Sequence, residues 1–296
     1  MERPTGRYVV LQAPTHLGLR SSGVALAGDV LLEGGLATRL GAAVVGRVEA
    51  APSWTRDPAT GLCNGPEVAA HARRLADALV PLLEGGAVPL VLGGDDSVLV
   101  GAALALRRLG RHGLLFLDAH VDFTPPTASP TGELSDTDLA IVTGHGPPVV
   151  GDIEGLAPYF VPDDVVALGR RDFDAEAEDR AFAASGIRAF DLPAIRRGGL
   201  DTAVDRALDG VAGTAGVWIH LDCDVFADDV VPAVDYRTPG GLLPGEVATV
   251  LRRTRERAHL LGITVTIYNP TLDPDRSAAR AIVDALVGGL LGRDGA

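Results

Sequence analysis

The sequence predicts an α/β fold with three layers, in which helices cover both faces of a mostly parallel central sheet. Two observations support this prediction. Most of seven short runs are apolar at nearly every position, as strands buried on both faces are. Longer amphipathic stretches separate most of these runs, and such strand–helix alternation is typical of a parallel sheet. We find no linker, low-complexity tract or internal repeat, so residues 1–296 are predicted to form a single domain.

The apolar runs are the predicted strands, and the amphipathic stretches are the predicted helices. Strands are expected at residues 8–12, 88–92, 114–117, 165–168, 187–190, 217–221 and 263–267. Helices are expected at residues 66–83, 97–109, 175–184, 192–208, 245–258 and 277–291. Pro66 fits a first helical turn and Ser97 can cap a helix start. The polar residues 121–137 form a long loop of the kind that often carries function.

The composition excludes several classes of protein. Hydrophobic residues make up 47% and charged residues 22% of the chain, which is typical of a globular protein and not of a disordered one. The net charge of −13 argues against a nucleic-acid partner. Every basic residue is an arginine, which excludes the chemistry of a lysine Schiff base.

No stretch predicts a membrane span or a secretory signal. No apolar run approaches the roughly 18 residues that a span needs, and residues 1–4 begin no apolar signal core. The two cysteines, Cys63 and Cys223, are too few for a disulfide framework or a thiolate zinc site. We therefore expect a cytoplasmic protein with no membrane partner.

Acidic side chains follow three of the predicted strands. Residues 114–117 run directly into Asp118, His120 and Asp122. If this segment stays extended, its alternate residues point to the same face. Because ligand sites in open α/β sheets gather at the carboxyl ends of the strands, we expect the three side chains to face a site there.

Two further strands end in the same way. Residues 217–221 lead to Asp222 and Asp224, and residues 88–92 lead through two glycines to Asp96. A single acidic pair after a strand is usually a turn or a helix cap. Three such endings at one edge of a sheet instead favour a shared site.

Five carboxylates in one site require positive charge. Two carboxylates about 4 Å apart repel by roughly 4 kcal/mol at an effective dielectric constant near 20. Oxygen-rich ligation with one imidazole favours Mn²⁺, and two such ions would supply four positive charges. One ion or another divalent metal remains an alternative. A bridged pair of ions can acidify a water molecule for attack on a planar carbon.

These motifs resemble those of the ureohydrolase family, which comprises arginases, agmatinases, formiminoglutamases and their relatives. Residues 118–122 are identical to the family's Asp-Ala-His-x-Asp, and residues 222–224 match its Asp-x-Asp. Other segments are similar to further family motifs: residues 93–97, 169–174, 239–242 and 268–270. The resemblance covers nearly the whole chain. It implies a metal-dependent hydrolase of linear C–N bonds in guanidino, amidine or amide substrates, with metal-bound hydroxide as the nucleophile.

The resemblance also implies roles for the acidic residues. Asp118 and Asp222 would bridge two Mn²⁺ ions. Asp122 would complete the shell of one ion and stabilise the reaction intermediate. His120 and Asp224 would complete the shell of the other ion.

Several positions depart from the family pattern. Asp96 stands where the family has a histidine ligand, and Ser135 where it has a histidine proposed to move protons. His145, ten residues further along, is a candidate catalytic substitute. Ile267 stands near the position of the glutamate that pairs with a guanidinium group. Either the substrate differs, or another acid supplies that charge: Asp95, Glu133 or Asp273.

Three residues are similar to family contacts with the amino-acid head of a substrate: Thr124, Thr131 and Asp174. The Asp174 carboxylate would bind an ammonium group, although the first turn of a helix is an equal interpretation of it. His220 shares a face with Asp222 and is expected beside the site. The implied partner is a small molecule, and the family's trimers and hexamers imply a homo-oligomer.

Three hypotheses about function remain at this point. The first is a metal-dependent hydrolase of guanidino compounds. The second keeps this chemistry but changes the substrate to a formimino group or an amide, since Ile267 cannot balance a guanidinium. The third is a non-catalytic homologue, which the joint changes at Asp96, Ser135 and Ile267 favour and the five retained ligands oppose.

Overall fold

A computed structural model describes residues 7–20, 23–173 and 176–292. Its strands, in chain order, are β1 (Arg7–Ala13), β2 (Ala43–Arg47), β3 (Ala87–Gly93), β4 (Gly113–Leu117), β5 (Val165–Leu168), β6 (Arg188–Phe190), β7 (Val217–Asp222) and β8 (Leu260–Thr266). They form one sheet in the order β2-β1-β3-β8-β7-β4-β5-β6. All neighbouring pairs are parallel. The predicted fold class is therefore confirmed.

The α-helices of the described residues connect these strands. They are α1 (Ala27–Glu33), α2 (Leu36–Leu40), α3 (Gly65–Glu84), α4 (Ser97–Leu109), α5 (Asp138–Val142), α6 (Pro148–Gly151), α7 (Glu176–Ser185), α8 (Leu192–Gly198), α9 (Leu200–Val211), α10 (Pro244–Arg257) and α11 (Ser277–Leu291). None of the described helices is both long enough and apolar enough to cross a membrane.

The predicted helix at residues 192–208 is two helices. Gly199 has a φ of +86° and separates α8 from α9. Glycine adopts this conformation readily because it has no Cβ atom, so the helix breaks where the side-chain pattern continues. The prediction of one continuous helix was wrong for this reason.

Apolar strands lie between two hydrophobic cores. On β4, Leu115 and Leu117 face the core that α9, α10 and α11 cover. Leu114 and Phe116 face the opposite core, beneath α3 and α4. A central strand such as β4 therefore needs apolar side chains on both faces, which is the pattern that identified it in the sequence.

One edge of the sheet, strand β2, is not predicted from the sequence. Its side chains are largely exposed, since the strand pairs with β1 alone. Only its first three residues are apolar enough to suggest a strand, because Gly46 and Arg47 follow them, and so short a run gives a weak signal. The short helices α1 and α2, which precede it, are also too short to give a clear helical period.

Candidate metal centre

The predicted ligands lie at the centre of the sheet. They follow the carboxyl ends of β3, β4 and β7, and β8 lies between β3 and β7. Ile267 follows β8 directly. Because these strands are parallel, their carboxyl ends share one edge, and the topology alone brings the residues together.

The segment after β4 turns away from the sheet. β4 ends at Leu117, and Asp122 has a φ of +45°. Residues 118–122 therefore do not continue β4 as an extended segment. Asp118 Oδ1 accepts a 2.6 Å hydrogen bond from the His120 amide, which bends the chain as Asp side chains do in turns. Ligand atoms of Asp118, His120 and Asp122 still lie within 4.8 Å of one another.

The segment after β7 is built in the same way. Asp222 Oδ1 accepts a 2.6 Å hydrogen bond from the Asp224 amide. Asp224 Oδ1 accepts a 3.0 Å hydrogen bond from the Ala119 amide, which joins this strand end to the end of β4. Oxygen atoms of Asp118, Asp222 and Asp224 form a second group within 4.8 Å. Asp118 therefore belongs to both groups.

The His120 imidazole lies among these carboxylates. Its Nδ1 is 2.8 Å from Asp224 Oδ2 and 3.4 Å from Asp118 Oδ1. Burial lowers the pKa of His120, but the Asp224 and Asp118 charges outweigh burial and raise this pKa to about 11. In the absence of a bound cation, the ring is therefore a protonated counter-charge for its neighbours.

Most of the clustered carboxyl groups have raised pKa values in the metal-free protein. Burial, followed by the Asp224 charge, raises the pKa of Asp118 to about 6. Burial and nearby carboxylates also raise the pKa values of Asp122 and Asp222 well above the ordinary range. Asp224 differs: burial raises its pKa, but the adjacent His120 outweighs burial and lowers it.

The donor set fits a divalent metal ion. Asp118 Oδ2 and Asp96 Oδ1 are buried and make no hydrogen bond within the described part of the chain. Buried polar atoms of native proteins usually have a partner, and a cation is a suitable one for a carboxylate. Carboxylates with an imidazole suit Mn²⁺ and related ions.

A third group lies beside the first two. Ligand atoms of Asp96, Asp138 and His220 lie within 4.8 Å of one another, and all three residues are buried. The sequence predicts His220 near the site but does not single out Asp138. Asp138 is the first residue of α5, and an acidic residue before an apolar stretch indicates an ordinary helix start. Only its complete burial distinguishes Asp138 from an ordinary helix start, and the sequence does not show that burial.

A cavity of about 250 Å³ opens over these groups. Its lining is acidic, and neither arginine nor lysine is among the described lining residues. The lining comprises Leu19, Asp96, His120, Asp122, Thr124, Ser135, Asp136, Asp172, Glu178, Asp222, Asp224, Tyr236 and Ile267. Such a cavity attracts cations and positively charged small molecules.

The predicted substrate contacts have different positions. Thr124 lines the cavity, and its hydroxyl donates a 3.0 Å hydrogen bond to Glu178. Glu178 is a cavity residue that the sequence did not predict. Thr131 is not among the described lining residues, and its hydroxyl bonds to Asp136 at 2.9 Å. Asp174 lies outside the described residues. Glu178 was missed because the helix containing it shows many acidic residues with no spacing that singles one out.

His145 is also absent from the described lining of the cavity. Its ring packs against Phe123 with 5.2 Å between the ring centroids. Its Nδ1 lies 3.3 Å from the Thr143 hydroxyl. A catalytic role for His145 would therefore require a relay, and it stays a prediction.

Ile267 is part of the cavity wall. It is buried, and its φ of +68° is unusual for a β-branched residue. None of the three acids considered as replacements for the missing glutamate is among the described lining residues. They are Asp95, Glu133 and Asp273. Asp273, for example, accepts hydrogen bonds from Tyr268 and from the first amides of α11.

Comparison with known proteins agrees with this architecture. The model of the arginase family matches residues 8–290. Arginase of Bacillus caldovelox is 30% identical over 233 residues, which are 78% of this chain and 77% of that protein. Arginase of Bacillus subtilis (strain 168) is 29% identical over 233 residues, 78% of each chain. The native structure of the Bacillus caldovelox enzyme at pH 5.6 superposes with a TM-score of 0.89 and 27% identity, covering 98% of this chain and 99% of that one.

The resemblance drawn from the motifs is thus confirmed over nearly the full length. The acidic groups at the strand ends also fit a metal, and both findings favour an enzyme over a non-catalytic homologue. The chain belongs to the arginase family and is a metal-dependent hydrolase of C–N bonds in linear amidines.

Proposed function

We propose that this hydrolase uses two Mn²⁺ ions to cleave a positively charged linear amidine, such as a guanidino compound. One observation carries the proposal: the acidic ends of three parallel strands in the middle of the sheet form one wall of an acidic cavity. A turn or helix-cap role does not explain carboxylates that are buried, mutually repelling and partly without hydrogen bonds.

The ligand groups support the roles that the family resemblance implies. Asp118 is common to two groups of ligand atoms, which supports a bridging role for it. His120 Nδ1 lies 2.8 Å from Asp224 Oδ2, which supports these two residues on one ion, and Asp122 shares a group with Asp118, which supports it on the other ion. When bound, the ions would act as Lewis acids and lower the pKa of a water molecule.

The cavity wall favours a cationic substrate. Asp136, Asp172 and Glu178 lie around it, with no basic residue among the described lining. An amidinium group or an ammonium tail would therefore be attracted, and a substrate with uncompensated negative charge would be repelled. Thr124 supplies a hydroxyl on the same wall.

Asp122 is the proposed catalytic side chain. It is buried and lines the cavity beside the other proposed ligands. As a ligand of a bound ion its carboxylate would be ionised, and it would stabilise the reaction intermediate next to that ion. His145 is not among the described residues that line the cavity, so Asp122 is the better assignment.

The test is a panel of linear C–N substrates. L-Arginine, agmatine, a guanidino acid and a formimino amino acid are incubated with Mn²⁺-loaded protein of measured metal content. In a guanidine, the oxygen of water joins the central carbon and one C–N bond breaks, which releases urea and an amine. We expect Mn²⁺-dependent product from at least one cationic substrate. Metal-loaded protein that hydrolyses no member of the panel would contradict the proposal.

A respecialised substrate is the second candidate. Ile267 places an apolar side chain on the cavity wall where the family resemblance leads to a carboxylate. An isolated guanidinium beside an apolar wall is unfavourable. A formimino compound or an amide would then be preferred in the same panel. The Mn²⁺ preference, a homo-oligomer and a cytoplasmic location stay predictions, for which metal analysis, sedimentation and cell fractionation are direct tests.

A further inference from the structure

The group formed by Asp96, Asp138 and His220, here called the deep cluster, joins one ligand that the motifs predict to two buried residues that they do not. These residues are 1%, 0% and 0% exposed, respectively. Asp96 follows β3, His220 is on β7, and Asp138 begins α5. Side chains from three separate elements therefore meet in one buried place.

The His220 ring is fixed in its orientation. It stacks on Phe116 with 5.0 Å between the ring centroids. Its Nδ1 is 2.8 Å from Thr264 Oγ1, on the neighbouring strand β8. This hydrogen bond turns Nε2 toward the two carboxylates, 3.3 Å from Asp96 Oδ1 and 3.8 Å from Asp138 Oδ2.

The hydrogen bonds of Thr264 favour one tautomer of His220. Thr264 Oγ1 accepts a hydrogen bond from the Trp218 indole at 3.3 Å and donates one to the Ile219 carbonyl at 3.4 Å. With its hydrogen used in this way, the hydroxyl accepts a hydrogen from His220 Nδ1. The unprotonated Nε2 then presents its lone pair to the deep cluster, as a metal-ligating histidine does.

The deep cluster contains several polar atoms without ordinary partners. Within the described part of the chain, no hydrogen bond engages His220 Nε2, Asp96 Oδ1 or either carboxylate oxygen of Asp138. The Leu139 amide and the Asp122 carboxyl group are the other polar neighbours of Asp138. A cation among these atoms would give each of them a partner.

We propose that Asp96, Asp138 and His220 hold one divalent metal ion, with His220 Nε2 as its imidazole ligand. The inference rests on the proposed metal centre but not on its substrate. The chain would then bind two ions with one imidazole each, His120 for one and His220 for the other. Two carboxylates and one neutral imidazole are a suitable donor set for Mn²⁺ or a related ion.

The experiment counts imidazole ligands without any substrate. The full chain is loaded with Mn²⁺, its metal content is measured, and X-ray absorption gives the average number of imidazoles per ion. We expect two ions per chain and one imidazole per ion. A value of one half, which His120 alone would give, overturns the proposal. This measurement uses the parent protein, so it does not depend on the folding of any variant.

Two isosteric or near-isosteric variants locate the site. Asp138→Asn and His220→Asn should each weaken the binding of one ion by at least about 10-fold in calorimetry and leave the other ion in place. His220→Asn should also lower the imidazole count to that of His120 alone. If both variants bind two ions with parental affinity, the deep cluster holds no metal.

Matched controls lie outside the deep cluster. His71 is a fully buried histidine whose Nε2 bonds to the Val48 carbonyl, and His71→Asn should keep both ions. Asp95 is a fully buried carboxylate next to Asp96, and Asp95→Asn should also keep them. Hydrolysis is assayed separately. Two imidazole-ligated ions without hydrolysis would contradict the proposed function alone, whereas hydrolysis with one imidazole per chain would contradict the deep-cluster site alone.

Discussion

The two walls of the cavity are built differently. On the inner wall, backbone amides fix the carboxylates: Ala119 donates to Asp224, and Asp224 donates to Asp222. On the outer wall, side-chain hydroxyls hold Asp136, and Glu178 accepts hydrogen bonds from the Thr124 hydroxyl and from the Phe123 amide. Backbone donors are set by the fold, whereas hydroxyl groups can rotate toward a new partner. The inner wall is therefore suited to constant metal chemistry and the outer wall to substrate choice.

Removing one inner carboxylate should have the largest effect. Asp118 belongs to two ligand groups, so Asp118→Asn should release bound metal and lower kcat by at least about 100-fold, as losses around metal ligands do. Metal analysis and steady-state kinetics check this. Asp136→Asn, on the outer wall, is the control and should keep the full metal content. Equal metal loss in both variants would remove the distinction between the two walls.

The pH dependence of stability should reverse when metal is bound. The pKa values of Asp118 and His120 are raised in the metal-free protein, so the folded chain binds more protons than the unfolded chain does. This excess extends from about pH 4 to 6 for Asp118 and from about pH 6.5 to 11 for His120. Its free energy of unfolding therefore falls as pH rises through these ranges. Metal binding needs ionised carboxylates and neutral imidazole, so the metal's contribution grows with pH.

Thermal unfolding at a series of pH values measures this reversal. Metal-free protein, prepared with a chelator, should lose Tm between pH 5 and pH 8, while the added Tm from Mn²⁺ should increase over the same range. Asp118→Asn without metal should show a weaker loss of Tm below pH 6. A metal-induced gain in Tm that is independent of pH would show that the inner carboxylates do not ligate the ion.

The central strands and the site at their carboxyl ends could be predicted from the sequence, because both follow from the pattern of apolar and acidic side chains. Strands buried on both faces are apolar throughout, and parallel pairing places their carboxyl ends at one edge. The convergence of Asp118, Asp222 and Asp96 follows from these two facts. The helix break at Gly199 and the exposed strand β2 could not be predicted. A backbone conformation and a position at the edge of a sheet both have little effect on the side-chain pattern.

The outer wall was much less predictable. Glu178 lies on a helix rich in acidic residues, where spacing does not single it out. Asp138 of the deep cluster was missed for a related reason, because α5 is too short to mark it by spacing. Thr131 matches a family position but bonds to Asp136. Contacts that depend on how loops fold back are set by tertiary structure, which local periodicity does not encode.

A carboxylate at position 267 should make the cavity bind guanidinium groups more tightly. Ile267→Glu places negative charge on the cavity wall, and we expect a roughly 10-fold lower KM for a guanidino substrate, equivalent to about 1.4 kcal/mol. Steady-state kinetics with matched guanidino and formimino substrates measures the change. The substitution also removes a β-branched side chain from a left-handed backbone conformation, so it should not reduce stability through backbone strain.

The control separates charge from shape. Ile267→Gln has nearly the same size as the glutamate variant but carries no charge. It should leave the preference between the two substrates close to that of the parent. An equal gain from glutamine would mean that the cavity shape, and not the missing charge, sets the substrate preference.

The smallest expected effect is at the mouth of the cavity, on α7. Glu178 lines the cavity and binds the Thr124 hydroxyl and the Phe123 amide. Glu178→Gln keeps the side-chain shape but removes the charge, so KM for a substrate with an ammonium tail should rise about 3- to 10-fold, with kcat and metal content unchanged. Glu176→Gln, an exposed neighbour paired with Arg180, is the control and should change neither. If Glu178→Gln instead lowers the metal content, the outer wall takes part in metal binding, and the division between the two walls is wrong.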